Sequence, residues 1–132
     1  MQLQLVKSSC IDKDFVNWMM IKLPFRVLSK LTNKKFVSAN RILKESRINV
    51  DPRRVIIAGC RSLQIIELKD VFVIDIRRKV AFSDTDRTVR DLCSMIEYGN
   101  MTTPGTHVFT EAFREIENSL DDLYSSYLTE LI

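Results

Sequence analysis

The chain reads RVIIAGCRSLQIIELKDVFVIDI from Arg54 to Ile76, and three runs within it are rich in β-branched and other large apolar residues. Such runs favour β-strands when short polar or glycine-containing segments separate them. They predict strands at 54–58, 63–68 and 71–76. Because the two connections are too short to contain a crossover helix, the three strands should form an antiparallel meander.

The region before this stretch is expected to be mainly helical. Asp12 or Asp14 is a suitable N-cap, and Pro24 should break or kink the helix that follows. The predicted elements are a strand at 2–7, a helix from Asp12 or Asp14 to Pro24, helical turns at 25–31, a turn at 33–35 and a short basic helix at 38–46.

The last third of the chain predicts two helices. Ser83, with Asp86 as its capping-box partner, precedes the first apolar helical face, and Gly99 supplies the stop. A final helix at 106–130 has apolar residues spaced mostly by alternating threes and fours. The fold class is therefore α+β, with a small antiparallel meander of three to four strands packed against N-terminal helices and two C-terminal helices.

Length and composition indicate a single α+β domain spanning residues 1–132. With 45% hydrophobic and 28% charged residues, the chain resembles an ordinary globular domain. It has no secretory signal pattern and no apolar run near the roughly 20 residues that cross a bilayer. Cys10, Cys60 and Cys93 show neither disulfide nor zinc-site spacing. We expect an intracellular, cytoplasmic protein, or one within an assembled particle, without membrane contact.

Charge is unevenly distributed along the chain. Residues 1–80 contain 17 Lys or Arg against 7 Asp or Glu, a net charge of +10, whereas residues 81–132 contain 3 against 10, a net charge of −7. Such asymmetry is typical of a nucleic-acid surface, an acidic partner or head-to-tail association. Alternatively, the two parts face each other within one fold.

Basic pairs and triplets in the first part predict a surface for phosphates. The candidate basic patch comprises Lys34, Lys35, Arg53, Arg54, Arg77, Arg78 and Lys79. If the fold brings these residues together, their binding to nucleic acid should weaken steeply as salt rises. Aromatic residues for base stacking are not interleaved with them, Phe36 being the nearest. A small nucleic-acid-binding regulatory protein is therefore one alternative function.

Aromatic residues in the acidic third predict a protein interface. The candidate interface comprises Tyr98, Phe109, Phe113, Tyr124 and Tyr127. Interfaces favour such residues, although cores use them too. An acidic, aromatic C-terminal helix also suits docking onto the basic body of another copy. We therefore predict a non-enzymatic interaction or assembly protein, a small subunit of a larger complex such as a virus particle, with another protein or itself as partner.

Catalytic motifs are sparse. His107 is the only histidine, and the acidic residues at 84–86 fit the start of a helix better than a metal clamp. No glycine-rich phosphate-binding loop occurs. We expect no catalytic residue, no metal site and no cofactor.

One enzyme class nevertheless has a similar order of elements. A helix, three antiparallel strands and a helix, with Glu67 and Lys69 at the end of a strand, loosely resemble the metal-dependent restriction-type nucleases. The resemblance implies Mg²⁺ held by two carboxylates and a lysine that positions the attacking water. Here Asp51 precedes the first of these strands, and Asp75 would need Arg77 in the place of the lysine. A metal-dependent nuclease is the second alternative function.

Overall fold

The computed structural model describes residues 1–132 as seven helices and three strands. In chain order the elements are β1 (Leu3–Val6), α1 (Lys13–Ile21), α2 (Leu23–Ser29), α3 (Asn33–Glu45), α4 (Pro52–Arg61), β2 (Leu63–Glu67), β3 (Val71–Ile76), α5 (Val89–Tyr98), α6 (Val108–Asn118) and α7 (Leu120–Leu131). The predicted α+β class is confirmed. None of the helices combines the length and apolar character needed to cross a bilayer.

The sheet has the order β1–β3–β2, and β3 is antiparallel to both neighbours. β2 and β3 form the predicted hairpin, in which the Leu68 N–H donates to the Val71 carbonyl at 2.9 Å. The predicted N-terminal strand pairs with the other side of β3, with Leu3 opposite Ile74. The third strand of the sheet is therefore β1 and not residues 54–58.

The strand predicted at 54–58 is wrong, because these residues lie in helix α4. Asp51 caps this helix by accepting a hydrogen bond from the Arg53 N–H at 2.8 Å, and a proline occupies the first helical position. Val55 and Ile56 are fully buried on the inward side of the helix. Capping and core packing thus outweigh the preference of β-branched residues for strands.

The first helices follow the prediction, whereas the third begins earlier than expected. Asp12 caps α1, and α1 gives way to α2 immediately before Pro24. The turn predicted at 33–35 is instead the first turn of α3. Thr32 caps that turn by accepting a hydrogen bond from the Lys35 N–H at 3.4 Å.

Helix α5 ends where predicted but begins later. Thr88 and Asp91 form its capping box, so the predicted pair of Ser83 and Asp86 lies in the preceding connection. Gly99 ends the helix with a φ of +78°. A Cβ atom at this position would lie 2.4 Å from backbone atoms of the following turn, so only glycine fits there.

The single final helix predicted at 106–130 is two helices that meet at Ser119. Ser119 has φ −123° and ψ 19°, which interrupts the helical backbone. No proline or glycine marks this position, so the sequence contains no strong signal for the break. The interruption allows α6 to pack against α2 and α5 while α7 packs against α1.

One hydrophobic core lies between the helices and the inner face of the sheet. Every element except β2 supplies buried residues to it, and Leu63 and Ile65 of β2 pack against it partly buried. The inner-face side chains of β1 and β3 are almost fully buried: Leu3, Leu5, Phe72, Ile74 and Ile76. Gly59 of α4 packs so closely that a Cβ atom there would lie 2.5 Å from the Cys93 Sγ atom of α5. Helices α4 and α5 therefore pack closely against each other.

Candidate interaction surfaces

Most of the candidate aromatic interface is used inside the chain. Phe109 and Phe113 lie in the hydrophobic core. The rings of Tyr124 and Tyr127 pack edge-on against Phe15 of α1, with centroid distances of 5.6 and 5.5 Å. Of the five predicted residues, only Tyr98 is largely exposed. The aromatic stripe thus joins α6 and α7 to the rest of the fold.

The basic and acidic parts of the sequence meet within the chain. Ion pairs connect α2 and the residues on either side of it to the acidic C-terminal helices: Lys22 with Glu130, Arg26 with Glu115, Lys30 with Glu115, and Lys35 with Glu111. The hydrogen bond from Lys30 lowers the pKa of Glu115 below its ordinary value. Part of the charge asymmetry is therefore compensated within the fold.

The candidate basic patch does not form one free surface. Lys35, Arg53 and Arg54 each pair with an acidic residue, the last with Asp84 at 2.8 Å. The remaining members make no ion pair: Lys34, Arg77, Arg78 and Lys79. The triplet follows β3 and begins beside the end of α4, whereas Lys34 lies at the start of α3.

Aromatic rings lie against two arginines of the candidate basic patch. The sequence did not predict these contacts. The Arg53 guanidinium carbon is 5.0 Å from the ring centroid of Phe36, and that of Arg54 is 5.6 Å from the ring centroid of Phe82. Such cation–π contacts are favourable. Because Phe36 belongs to α3 and Phe82 to the connection before α5, only the fold brings these partners to α4.

Helix α4 also presents a ridge that the sequence analysis missed. Arg54, Ile57 and Arg61, here termed the α4 ridge, are spaced three and four apart and line one side of the helix. A cavity of about 540 Å³ flanks the ridge toward residues 80–89, and one of about 500 Å³ flanks it toward α1 and α2. The helical spacing was present in the sequence, but the strand prediction concealed it.

The outer face of the sheet is apolar and partly uncovered. The outer sheet patch comprises Val6, Ile66, Leu68, Val71 and Val73. Val6 lies opposite Val71, and Ile66 lies opposite Val73, so the side chains form two adjacent rows. Val6, Leu68 and Ile66 are 71%, 50% and 42% exposed.

Polar residues border this patch without giving it a net charge. Gln64 lies opposite Asp75, and Asp75 accepts hydrogen bonds from Arg90 at 2.8 Å and Gln2 at 3.2 Å. Burial acts to raise the pKa of Asp75, but these hydrogen bonds outweigh it and lower the pKa below its ordinary value. Asp75 is therefore a carboxylate neutralised by Arg90.

Both edges of the sheet lack hydrogen-bonding partners within the chain. In β2 the backbone groups of Leu63, Ile65 and Glu67 point away from β3, as the alternation of an antiparallel ladder requires. The outward groups of β1 are similarly unpaired. These edges are available for the addition of another strand.

The residues considered for a metal-dependent nuclease do not converge. Glu67 pairs with Lys7 at 3.0 Å and lies opposite Phe72 of the inner face, whereas Asp75 projects from the outer face. Asp51 is the N-cap of α4. The structure contains no group of three His, Cys, Asp or Glu residues arranged to hold a metal ion.

The only histidine lies beside a buried carboxylate that the sequence analysis did not single out. Glu97 is fully buried and accepts hydrogen bonds from the N–H groups of Phe109 at 3.0 Å and Thr110 at 3.1 Å. The His107 Nδ1 atom is 3.7 Å from the Glu97 carboxylate. Glu97 thereby satisfies backbone groups at the start of α6, which is a structural role.

The chain matches no protein-family model, no curated protein and no solved structure.

Proposed function

We propose that this protein is a non-enzymatic assembly protein that associates with a second copy through the outer sheet patch. The observation that carries the proposal is the apolar exposure of the outer face, where Val6, Leu68 and Ile66 are 71%, 50% and 42% exposed beside the largely buried Val73 of β3. An antiparallel sheet with one solvated face normally has polar residues on that face. The outer sheet patch instead resembles the inside of a two-layer structure that lacks its second layer.

The shape of the patch suits another sheet. Its aliphatic side chains stand in two adjacent rows and can interdigitate with a matching face about 10 Å away. Removing apolar surface from water contributes roughly 25 cal/mol per Å², and this gain drives most protein association. Val6, Leu68 and Ile66 retain the largest exposed areas for such burial.

The chemistry of the patch favours a second copy as its occupant. A two-fold axis would bring the same aliphatic rows together, which is the self-complementary contact of symmetric dimers. The patch has no net charge, because Arg90 neutralises Asp75, so two copies do not repel each other there. Gln2, Gln4 and Gln64 border it with amides that both donate and accept, and they can pair with their own counterparts.

The experiment is a measurement of mass by light scattering and sedimentation over a range of protein concentrations, at low and high salt. We expect a concentration-dependent dimer that persists at high salt, because apolar contacts are not screened. The double variant Val6→Lys, Ile66→Lys should be monomeric, since a dimer would bury four unpaired lysines.

The control is Val37→Lys, which adds a lysine at a valine on α3 whose 58% exposure lies between those of Val6 and Ile66. This variant should dimerise like the unmodified chain. Circular dichroism would confirm that each variant folds. A monomeric unmodified chain at every concentration, or an equal loss of dimer in the Val37→Lys control, would contradict the proposal.

We also propose an intracellular location, or a place within an assembled particle, for this protein. Cys10, Cys60 and Cys93 are all unpaired, as is usual for proteins of reducing compartments. Burial raises the pKa of Cys60 to about 12, so its thiol is inert at neutral pH. Separation of cell extracts, with detection of the native protein, tests this location.

A further inference from the structure

The α4 ridge lies on the helical side of the molecule, away from the outer sheet patch. Ile57 and Arg61 line both of the cavities that flank it, and Arg54 lines the larger one. Both volumes fall within the roughly 300–1,000 Å³ range of ligand-binding clefts. A partner that lies across the ridge can therefore fill both cavities together.

Apolar residues dominate the walls of these cavities. Six of eight lining residues are hydrophobic in the smaller cavity and six of ten in the larger one. Two residues that line the smaller cavity, Ile21 of α1 and Phe25 of α2, are 74% and 76% exposed. Exposed apolar residues clustered in this way mark sites of protein interaction.

The charge of the ridge is positive and is only partly compensated. Arg54 pairs with Asp84, but Arg61 makes no ion pair and stands where the two cavities meet. Arg77 begins the unpaired basic triplet beside this end of the helix, where its N–H donates to the Ser62 carbonyl at 3.0 Å. An acidic group of a partner is the complement that this position lacks.

We propose that the α4 ridge binds an acidic amphipathic helix of another protein. The apolar side chains of that helix fill the two cavities, and one of its carboxylates pairs with Arg61. This is the binding mode in which an amphipathic helix lies in an apolar groove, with anchors spaced three and four residues apart. The site is separate from the proposed self-association and does not depend on it.

The walls favour a peptide over a nucleic acid. Phosphate backbones are bound chiefly by several cations placed along a groove. Here only two cations line the cavities, and one of them is already paired with Asp84. The acidic helices of a second copy are also less suitable, because Phe113, Ile116 and Leu123 of their apolar faces are already buried within their own chain.

The test uses two designed helical peptides of about 18 residues, long enough to hold helical structure. Both have the same Leu and Phe face, and the opposite face is built from Glu in one and from Lys in the other. Fluorescence anisotropy of the labelled peptides measures their binding to the full chain. We expect the Glu peptide to bind at least about tenfold more tightly than the Lys peptide.

Charge reversal at the ridge gives the decisive comparison. Arg61→Glu should weaken binding of the Glu peptide by about tenfold and strengthen binding of the Lys peptide. Phe25→Ser should weaken the binding of both peptides, since it removes an exposed apolar side chain from the wall of the smaller cavity. The matched control is Arg114→Glu, which reverses another arginine without an ion pair, on α6, and should change neither.

The same anisotropy assay also measures the binding of a labelled mixed-sequence DNA duplex and of a labelled second copy of the chain. Equal binding of the two peptides, or equal effects of Arg61→Glu and Arg114→Glu, would overturn the proposal. Tighter binding of the duplex than of the Glu peptide, lost in Arg61→Glu, would assign the ridge to nucleic acid instead. Association of copies that Arg61→Glu abolishes would assign it to self-assembly.

Discussion

The two faces of the three-stranded sheet both carry large aliphatic residues but differ in their surroundings. Ile74 on the inner face is fully buried, and Ile66 on the outer face is 42% exposed, although both are isoleucines of the same hairpin. The inner face lies under helices of its own chain. An apolar pattern therefore shows that a surface needs covering, but not which molecule covers it.

The same contrast separates the aromatic residues of α6 and α7 from the α4 ridge. The sequence predicts an interface at the aromatic residues of the acidic third, yet Phe109 and Phe113 are buried within the chain. Ile57 and Arg61 were not among the site residues predicted from the sequence, yet they line both open cavities. Exposure after folding, more than residue type, identifies the candidate surfaces.

The largest expected effect tests the inner face. Ile74→Ala should lower the free energy of unfolding by about 3 kcal/mol, because it leaves a cavity in a packed core. Ile66→Ala, on the outer face, should cost less than about 1 kcal/mol in the monomer. Urea denaturation followed by circular dichroism measures both. Equal losses would remove the distinction between the two faces.

A second effect tests how closely α4 and α5, two of the helices that share the core with the inner face, pack against each other. Gly59→Ala should destabilise the protein by about 1 to 3 kcal/mol, since the new Cβ would lie 2.5 Å from the Cys93 Sγ atom. Adding Cys93→Ala should recover part of this loss, because it removes the clashing sulfur. Additive losses in thermal unfolding of the double variant would argue against that contact.

A third effect tests the polar end of the outer face. Arg90→Ala should cost about 1 to 2 kcal/mol at neutral pH, because it leaves the nearly buried Asp75 without its cation. The folded-state pKa of Asp75 lies below its ordinary value of 3.8. Its contribution to stability is therefore full above that pH and declines as the pH falls through the folded-state pKa.

Thermal unfolding between pH 5 and about pH 2 measures this dependence. The unmodified chain should lose stability in the acid range more steeply than Arg90→Ala does. Parallel curves for the two proteins would show that the ion pair contributes little.

The smallest effect concerns the apolar part of the outer face. Ile66→Thr keeps a β-branched residue in the strand and should change the stability of the monomer by less than about 0.5 kcal/mol. If a second copy covers the patch, the unfolding temperature of the unmodified chain rises with protein concentration, and that of Ile66→Thr rises less. The same concentration dependence in both proteins would count against the patch.

The elements that the sequence predicted correctly depend on local signals. The hairpin of β2 and β3 combines two apolar runs with a two-residue connection, and Pro24 separates α1 from α2. Asp12 and Gly99 mark helix ends through capping and a left-handed φ angle. Each of these signals acts over a few residues, so it is visible without the rest of the fold.

The errors arose where tertiary packing decides between local alternatives. Residues 54–58 have the composition of a strand, but as a helix they place Val55 and Ile56 in the core. The break at Ser119 has no proline or glycine to announce it, and it allows α6 and α7 to pack against different neighbours. Local secondary-structure preferences amount to less than about 1 kcal/mol per residue. The free energy gained by burying a large apolar side chain, roughly 1.5 to 3 kcal/mol, outweighs them.

Local sequence patterns were sufficient to predict the α+β class, the hairpin, several helix boundaries and the division of charge between the two parts of the chain. Tertiary packing alone pairs part of this charge within the chain, covers most of the candidate aromatic interface, and leaves the outer sheet patch and the α4 ridge open. The difference lies in the distance along the chain over which each interaction acts. Capping, turns and periodicity act between near neighbours in sequence, whereas burial and ion pairing depend on residues brought together from distant positions.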